Sequence, residues 1–368
     1  MPALNHNDLS IYVHWPFCLA KCPYCDFNSH VHDRVNEAEM AEALLSEIDH
    51  YAGLVGRRDV KSIFFGGGTP SLMSASTVEK VINRIEHNFH TTNDIEITLE
   101  ANPTSVEAGK FKDFSLAGIN RVSIGIQALN NHDLKALGRE HDVDEALGAI
   151  ELSQKCFKRS NFDLIYARMG QEVSEWEKEL KRAIRMANGH LSLYQLTIEQ
   201  GTPFYGQWRQ GKLIIPDEDT SAEMYELTND ICSENGYAAY EVSNYAKEAQ
   251  ESRHNLTYWN YRDYLGIGAG AHGRITYGGN TYATMQNKKP ETWLKAVKDK
   301  GHATKEQVHL SQKEMAEEMI MMGLRLTSGI HTDHFRNRIG AELNDFIEMD
   351  QVEMLIAQGF FEPNYPRS

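Results

Sequence analysis

The stretch IYVHWPFCLAKCPYCDFNSH, residues 11–30, starts as a strand and continues as a metal-binding loop. Its first residues are β-branched or aromatic, the side chains that suit a pleated, half-buried surface. Pro16, Pro23 and three cysteines follow, Cys18, Cys22 and Cys25. The spacing CxxxCxxC would align the thiols on one face of a helix. Each proline removes a backbone donor, however, and Pro23 lies between the second and third thiols, so a loop wrapped around a metal fits better. Three thiolates are one short of a closed four-ligand site. An iron–sulfur cluster held this way leaves one iron open to an outside ligand. Structural zinc completed by His30 or His14 is the alternative. Such sites normally draw a second ligand pair from elsewhere, and no second CxxC or HxxxH is present.

The strand that leads into this loop opens a repeat. LSIYVHW (9–15), VKSIFF (60–65), DIEITLE (94–100), RVSIGIQ (121–127), NFDLIYA (161–167) and HLSLYQLTIE (190–199) read as strands. Between them lie runs with apolar residues at three- and four-residue steps, such as EAEMAEALLSEIDHYAGL and ASTVEKVINRIEHNF. Strand, crossover helix and strand in succession give the α/β class and a parallel sheet, and six units suit a partial (β/α)6 barrel. Barrel chemistry sits at the C-terminal strand ends. The cysteines follow strand one, GGGTP (66–70) follows strand two, Glu100 and Gln127 end strands three and four, and Asp163 lies within strand five. Taken alone, GGGTP fits either a tight turn or a close backbone approach to a ligand.

Residues 1–205 therefore read as the barrel and 206–300 as a mixed α+β extension, in which a Gly- and Tyr-rich segment from 253 to 279 suggests strands and turns. Residues 301–368 read as a small helical module. Met315, Met319 and Met322 form a helical stripe there, the pattern of core packing. Cys156 and Cys232 fall in helical patterns and read as buried residues without a role.

Among the 368 residues, 41% are hydrophobic and 24% charged, ordinary globular usage. The net charge of -15, with no compensating basic stripe, argues against a nucleic-acid partner. The first residues lack a signal-peptide pattern and no run reaches the roughly 20 apolar residues of a membrane span, so no transmembrane segment and a cytoplasmic location are expected. Clustered cysteines in a reducing compartment suit a metal centre better than disulfides.

CxxxCxxC after the first strand of a partial barrel, with Tyr24 before the last cysteine, resembles the radical S-adenosylmethionine superfamily. HWPFCLAKCPYCDFNSH, IFFGGGTPSLM, ITLEANP, RVSIGIQALN, LGREH, FDLIYA, YQLTIE and HNLTYWNYRDYLGIGAGAHG together resemble the oxygen-independent coproporphyrinogen III oxidase group. That resemblance implies a [4Fe-4S] cluster on Cys18, Cys22 and Cys25, with S-adenosylmethionine on the open iron. It further implies that Tyr12 and Tyr24 border the S-adenosylmethionine, that Gly67, Gly68 and Thr69 touch it through the backbone, and that Glu100 meets its polar end. Gln127, Arg139 and Asp163 match positions that contact a second S-adenosylmethionine in the dehydrogenases; a structural ion pair between Arg139 and Asp163 is the lesser alternative. The dehydrogenase branch typically carries CxxxCxxCxC and an N-terminal extension. This chain has Phe27 at the last position, reaches its first cysteine at residue 18, and carries HNLTYW (254–259), which matches the HNxxYW motif of the heme-chaperone branch. The resemblance then implies heme bound at His254 and delivered to an acceptor protein; the alternative is radical decarboxylation of coproporphyrinogen III. A cluster loop near the surface also allows a homodimer. Two departures stand out: ARMGQEV puts Met169 where the group commonly has proline, and EPNYPRS at the end implies an incomplete winged-helix-like terminal module.

Overall fold

The computed structural model describes residues 7–32 and 35–360. Six parallel strands, β1 (Asp8–Trp15), β2 (Asp59–Gly67), β3 (His90–Ala101), β4 (Arg121–Gln127), β5 (Arg159–Tyr166) and β6 (Gly189–Gln195), lie side by side in chain order. Helices Glu37–Val55 and Ala75–Asn88 make the first two crossovers, where the three- and four-residue periodicity predicts them. The side chains of Asn36 and Ser74 cap them by accepting from Glu39 N–H and Thr77 N–H. The partial barrel is the expected one, with adjusted edges. β6 stops at Gln195, before LTIE, and β2 runs through Gly66 and Gly67, so GGGTP straddles the strand end.

Each barrel strand sends alternate side chains to opposite faces. Ile11, Val13, Ile63, Phe65, Ile97, Leu99, Val122 and Ile124 join the helices in one hydrophobic core, each burial contributing about 2 kcal/mol. Their neighbours in sequence are polar and meet across the lumen. Ser62 Oγ donates to Ser10 Oγ at 2.8 Å, Asn161 Nδ2 donates to Ser123 Oγ at 2.8 Å, and Arg159 pairs with Glu96 at 2.6 Å. The barrel interior is thus a hydrogen-bonded chamber.

The sheet continues past both ends of the barrel. β7 (Ala238–Glu241) and β8 (Asn244–Ala246) add antiparallel beyond β6, while β9 (Tyr264–Ile267) pairs parallel with β1. β10 (His272–Tyr277), β11 (Asn280–Gln286) and β12 (Thr304–His309) then extend it antiparallel, making twelve strands. β12 lies where helix is expected; its residues TKEQVH are almost all exposed, so no buried face marks it in the sequence. Because β12 belongs to the sheet, we propose that the terminal module begins at helix Gln312–Gly323 and not at residue 301.

HNLTYW also departs from expectation, forming the helix Arg253–Trp259. Ser252 caps it, and the Glu96 carboxylate accepts from the backbone N–H groups of Arg253 (3.2 Å) and His254 (3.1 Å), placing negative charge at the helix N-terminus. Thr257 pairs with Ser10 at 2.8 Å, so this helix plugs the lumen. The C-terminal helices have their own small core of Tyr261, Ala316, Met319, Phe335 and Ile339, with Met315 and Met322 packed against it. Cys232 is buried, whereas Cys156 is only half-buried at a helix end, contrary to expectation. EPNYPRS lies outside the described residues. No helix among the described residues is long and apolar enough to cross a membrane.

Replacing Glu96 by Ala removes the carboxylate that neutralises Arg159 and caps the HNLTYW helix. The expected cost is about 3 kcal/mol of unfolding free energy, read by urea denaturation followed by circular dichroism.

Candidate functional site

Beyond β1 the chain passes Pro16, and Phe17–Cys18 pairs with His30–Val31 to close the cysteine loop. Backbone bonds fix its position: Gly68 N–H donates to Trp15 O (2.7 Å), Thr69 N–H to Phe17 O (2.8 Å), and Phe204 N–H to Pro23 O (3.0 Å). A Cβ on Gly68 would lie 2.6 Å from Phe17 O, so only glycine allows this approach. Cys18, Cys22 and Cys25 line a cavity of about 150 Å³ together with Tyr24, Gly67, Gly68, Thr69, Glu100, Gln127, Arg139 and Asp163. Every residue assigned in the sequence to the cluster or to S-adenosylmethionine is on this wall except Tyr12.

The wall is hydrogen-bonded to the thiols. Thr69 Oγ1 donates to Cys18 Sγ at 3.3 Å and Arg139 Nη1 donates to Cys22 Sγ at 3.2 Å; burial raises the Cys18 thiol, and the Thr69 bond acts against that rise. Arg139 Nη2 donates to Asn102 Oδ1 (2.6 Å) and Gly125 O (2.7 Å). Arg139 and Asp163 form no ion pair; Asp163 accepts from Ser123 and Asn161 instead. Asn102, in the ITLEANP stretch, was not singled out by sequence, although it links Arg139 to Thr69. Gln127 holds a left-handed φ of 76°, an uncommon conformation for a non-glycine residue that sets its direction at the end of β4.

Two carboxyl groups face this chamber with no cation paired to either. Burial, reinforced by the nearby Asp163, raises Glu100 to about 8, although Gly67 N–H donates to it at 3.2 Å. Burial raises Asp163 to about 6. A cation bound beside them would favour their charged forms.

A second cavity, of about 780 Å³, adjoins the first and shares Lys21, Phe27, Ser29, Gly67 and Glu100 with it. Tyr12 lines this one, alongside Tyr258, Trp259, Tyr261 and Tyr264. Asn28 ties its two sides together, donating from Nδ2 to Ala269 O and Lys288 O, each at 3.0 Å. His254 does not reach the wall. It is 1% exposed, with Nδ1 bonded to Ser62 Oγ (2.8 Å), Nε2 bonded to Tyr258 OH (2.7 Å), and its ring stacked on Phe64. In this arrangement both ring nitrogens of His254 are hydrogen-bonded within the wall. Tyr258 and Trp259 of the same motif reach the cavity in its place.

The Radical SAM superfamily model matches residues 12–183, and the HemN C-terminal domain model matches residues 310–364. The Escherichia coli (strain K12) protein "Heme chaperone HemW" is 36% identical over 355 residues, covering 96% of this chain and 91% of that protein. The chain belongs to the HemW-like family of radical S-adenosylmethionine proteins. A Danio rerio protein of this similarity group, "Radical S-adenosyl methionine domain-containing protein 1, mitochondrial", is 40% identical over 333 residues, 89% of this chain and 75% of that protein. The solved structure of coproporphyrinogen III oxidase (HemN) from Escherichia coli shares the fold, with a TM-score of 0.79 over 95% of this chain and 83% of that one at 22% identity.

Membership of this family implies a [4Fe-4S] cluster and S-adenosylmethionine. The residues fit both groups: three thiols on one cavity wall, hydrogen-bond donors to two sulfurs, and a glycine edge that a Cβ would obstruct. Among the described residues, no three His, Cys, Asp or Glu side chains are grouped to hold one metal ion.

The raised carboxyls set a pH dependence. Folded Glu100, Asp163 and the buried Glu47, raised by burial to about 7, keep protons that the unfolded chain releases above its ordinary carboxyl range. The contribution of these three groups to the stability of the ligand-free protein is therefore fully present below about pH 4 and is lost as pH rises towards about 8. Glu100→Gln is expected to flatten the upper part of that fall, from about pH 6 to 8, in denaturation midpoints measured across pH.

Proposed function

We propose that this chain is a heme chaperone that carries heme beside its iron–sulfur site and delivers it to an acceptor protein in the cytoplasm. The observation that carries this reading is the aromatic cavity of about 780 Å³ against the cysteine loop. Its volume lies within the range of small-molecule and cofactor sites, and its rings suit a flat macrocycle. The "Heme chaperone HemW" relatives support the same reading.

In this proposal Cys18, Cys22 and Cys25 hold the cluster. Tyr24, Gly67, Gly68, Thr69, Glu100, Gln127, Arg139 and Asp163 surround S-adenosylmethionine, whose ammonium and sulfonium charges complement the two carboxyls. Bound to the cluster, S-adenosylmethionine supplies a source of the 5′-deoxyadenosyl radical. Tyr12 and Phe27 stand between this space and that of heme. Phe27, which lines both cavities, occupies the position where the dehydrogenase branch typically has a further cysteine. His254 acts on heme through Tyr258, whose hydroxyl it holds.

Optical titration of the cluster-loaded protein is expected to give one heme per chain. Anaerobic incubation with coproporphyrinogen III, S-adenosylmethionine and a reductant is expected to leave the porphyrinogen unchanged. Accumulation of protoporphyrinogen IX would overturn the chaperone reading in favour of the dehydrogenase.

A further inference from the structure

The large cavity has three imidazoles on its wall, at His14, His30 and His272. They differ in what their nitrogens already do. His14 has both engaged, Nδ1 with Tyr12 OH at 3.0 Å and Nε2 with Asn28 O at 2.9 Å. His30 has its Nε2 buried without a partner, with no solvent contact at that atom. His272 makes no hydrogen bond or ion pair through its ring among the described residues, and it is exposed.

The fold holds His272 in place. It is the first residue of β10, directly after the turn GAGA, in which Gly268 (φ 101°) and Gly270 (φ 83°) take left-handed conformations. A Cβ on Gly270 would lie 2.1 Å from Asn28 Nδ2, so the turn packs tightly against the end of the cysteine loop. A rigid backbone thus presents a free imidazole, the commonest protein donor to heme iron.

The same cavity holds two guanidinium groups with different status. Arg274 is satisfied by Glu318, with donor distances of 2.9 and 2.7 Å. Arg262 forms no hydrogen bond or ion pair through its side chain among the described residues, and its Nε is buried without a partner. A half-buried guanidinium that feels the Asp8 carboxylate only at a distance is costly unless an anion bonds to it directly, and its geometry matches a carboxylate.

We propose that His272 is the iron-ligating residue of this cavity and that Arg262 receives a propionate, so the ligand is an iron porphyrin bearing free carboxylates. This rests on the heme reading above and names the contacts for it. His254 then supports the wall through Tyr258 and does not bind iron.

The test uses the cluster-loaded full chain and four probes: heme, iron-free protoporphyrin IX, heme dimethyl ester and added imidazole. In His272→Ala, heme affinity is expected to fall at least about tenfold, the optical and EPR signature of imidazole ligation to disappear, and added imidazole to restore it. Protoporphyrin IX should bind wild type and His272→Ala alike, and His254→Ala should keep imidazole ligation. In Arg262→Ala, heme should lose about tenfold in affinity while the dimethyl ester, which offers no carboxylate, changes little. Circular dichroism melting identifies any variant that fails to fold, and His272→Gln and Arg262→Gln then replace the Ala variants. An unchanged heme spectrum in His272→Ala, or loss of imidazole ligation in His254→Ala, overturns the ligand assignment while the cavity reading stands. An equal loss for heme and ester in Arg262→Ala overturns the propionate assignment. Failure of wild type to bind either heme or protoporphyrin IX overturns the heme reading itself.

Discussion

The Glu96 carboxylate, in the floor of the barrel, accepts from Arg159 and from the N–H groups of Arg253 and His254. It joins three separated pieces of chain: β3, β5 and the helix that closes the lumen. A buried carboxylate is tolerable only when hydrogen-bonded and paired, so these groups must arrive together. Once they do, Ser10, Ser62, His254 and Thr257 form a connected polar layer above them. The rim can then carry unpaired carboxyls and thiols because the floor beneath it is held by this hydrogen-bonded layer.

The same division of faces explains the position of the site. The apolar side of each strand is buried under helices, and the polar side has nowhere to go except inward. At the bottom these side chains bond to one another; at the top, Glu100, Gln127 and Asp163 meet an open cavity. The cysteine loop spans that opening, held by backbone bonds to Gly68, Thr69 and Phe204.

Strands β1 to β6 are legible in the sequence because each has an apolar face and is separated from the next by a helical period. The cysteine loop is legible because three close thiols broken by prolines have few other uses. The lumen was legible in part: strings such as SIYVHW and RVSIGIQ alternate apolar with polar residues or glycine, a period-two signal easily hidden by the β-branched content of the whole run. β12 has no such signal, since an exposed edge strand lacks a buried face. His254 illustrates a different limit. A motif marks a histidine, yet whether its nitrogens face a ligand or a serine and a tyrosine depends on residues some 190 positions away, such as Ser62. His272 and Arg262 become visible only once neighbouring side chains are seen to have partners and these two do not.

Asn28 closes the cysteine loop and fastens it to Ala269 and Lys288, on the far side of the large cavity. The two chambers consequently share a hinge as well as several walls. Ordering the loop around iron and sulfur fixes one jaw of the neighbouring chamber, and filling that chamber restrains the loop in return. Occupancy of the two sites is then energetically linked, and linkage of this kind is reciprocal: whatever factor one ligand adds to the other's affinity, it receives back.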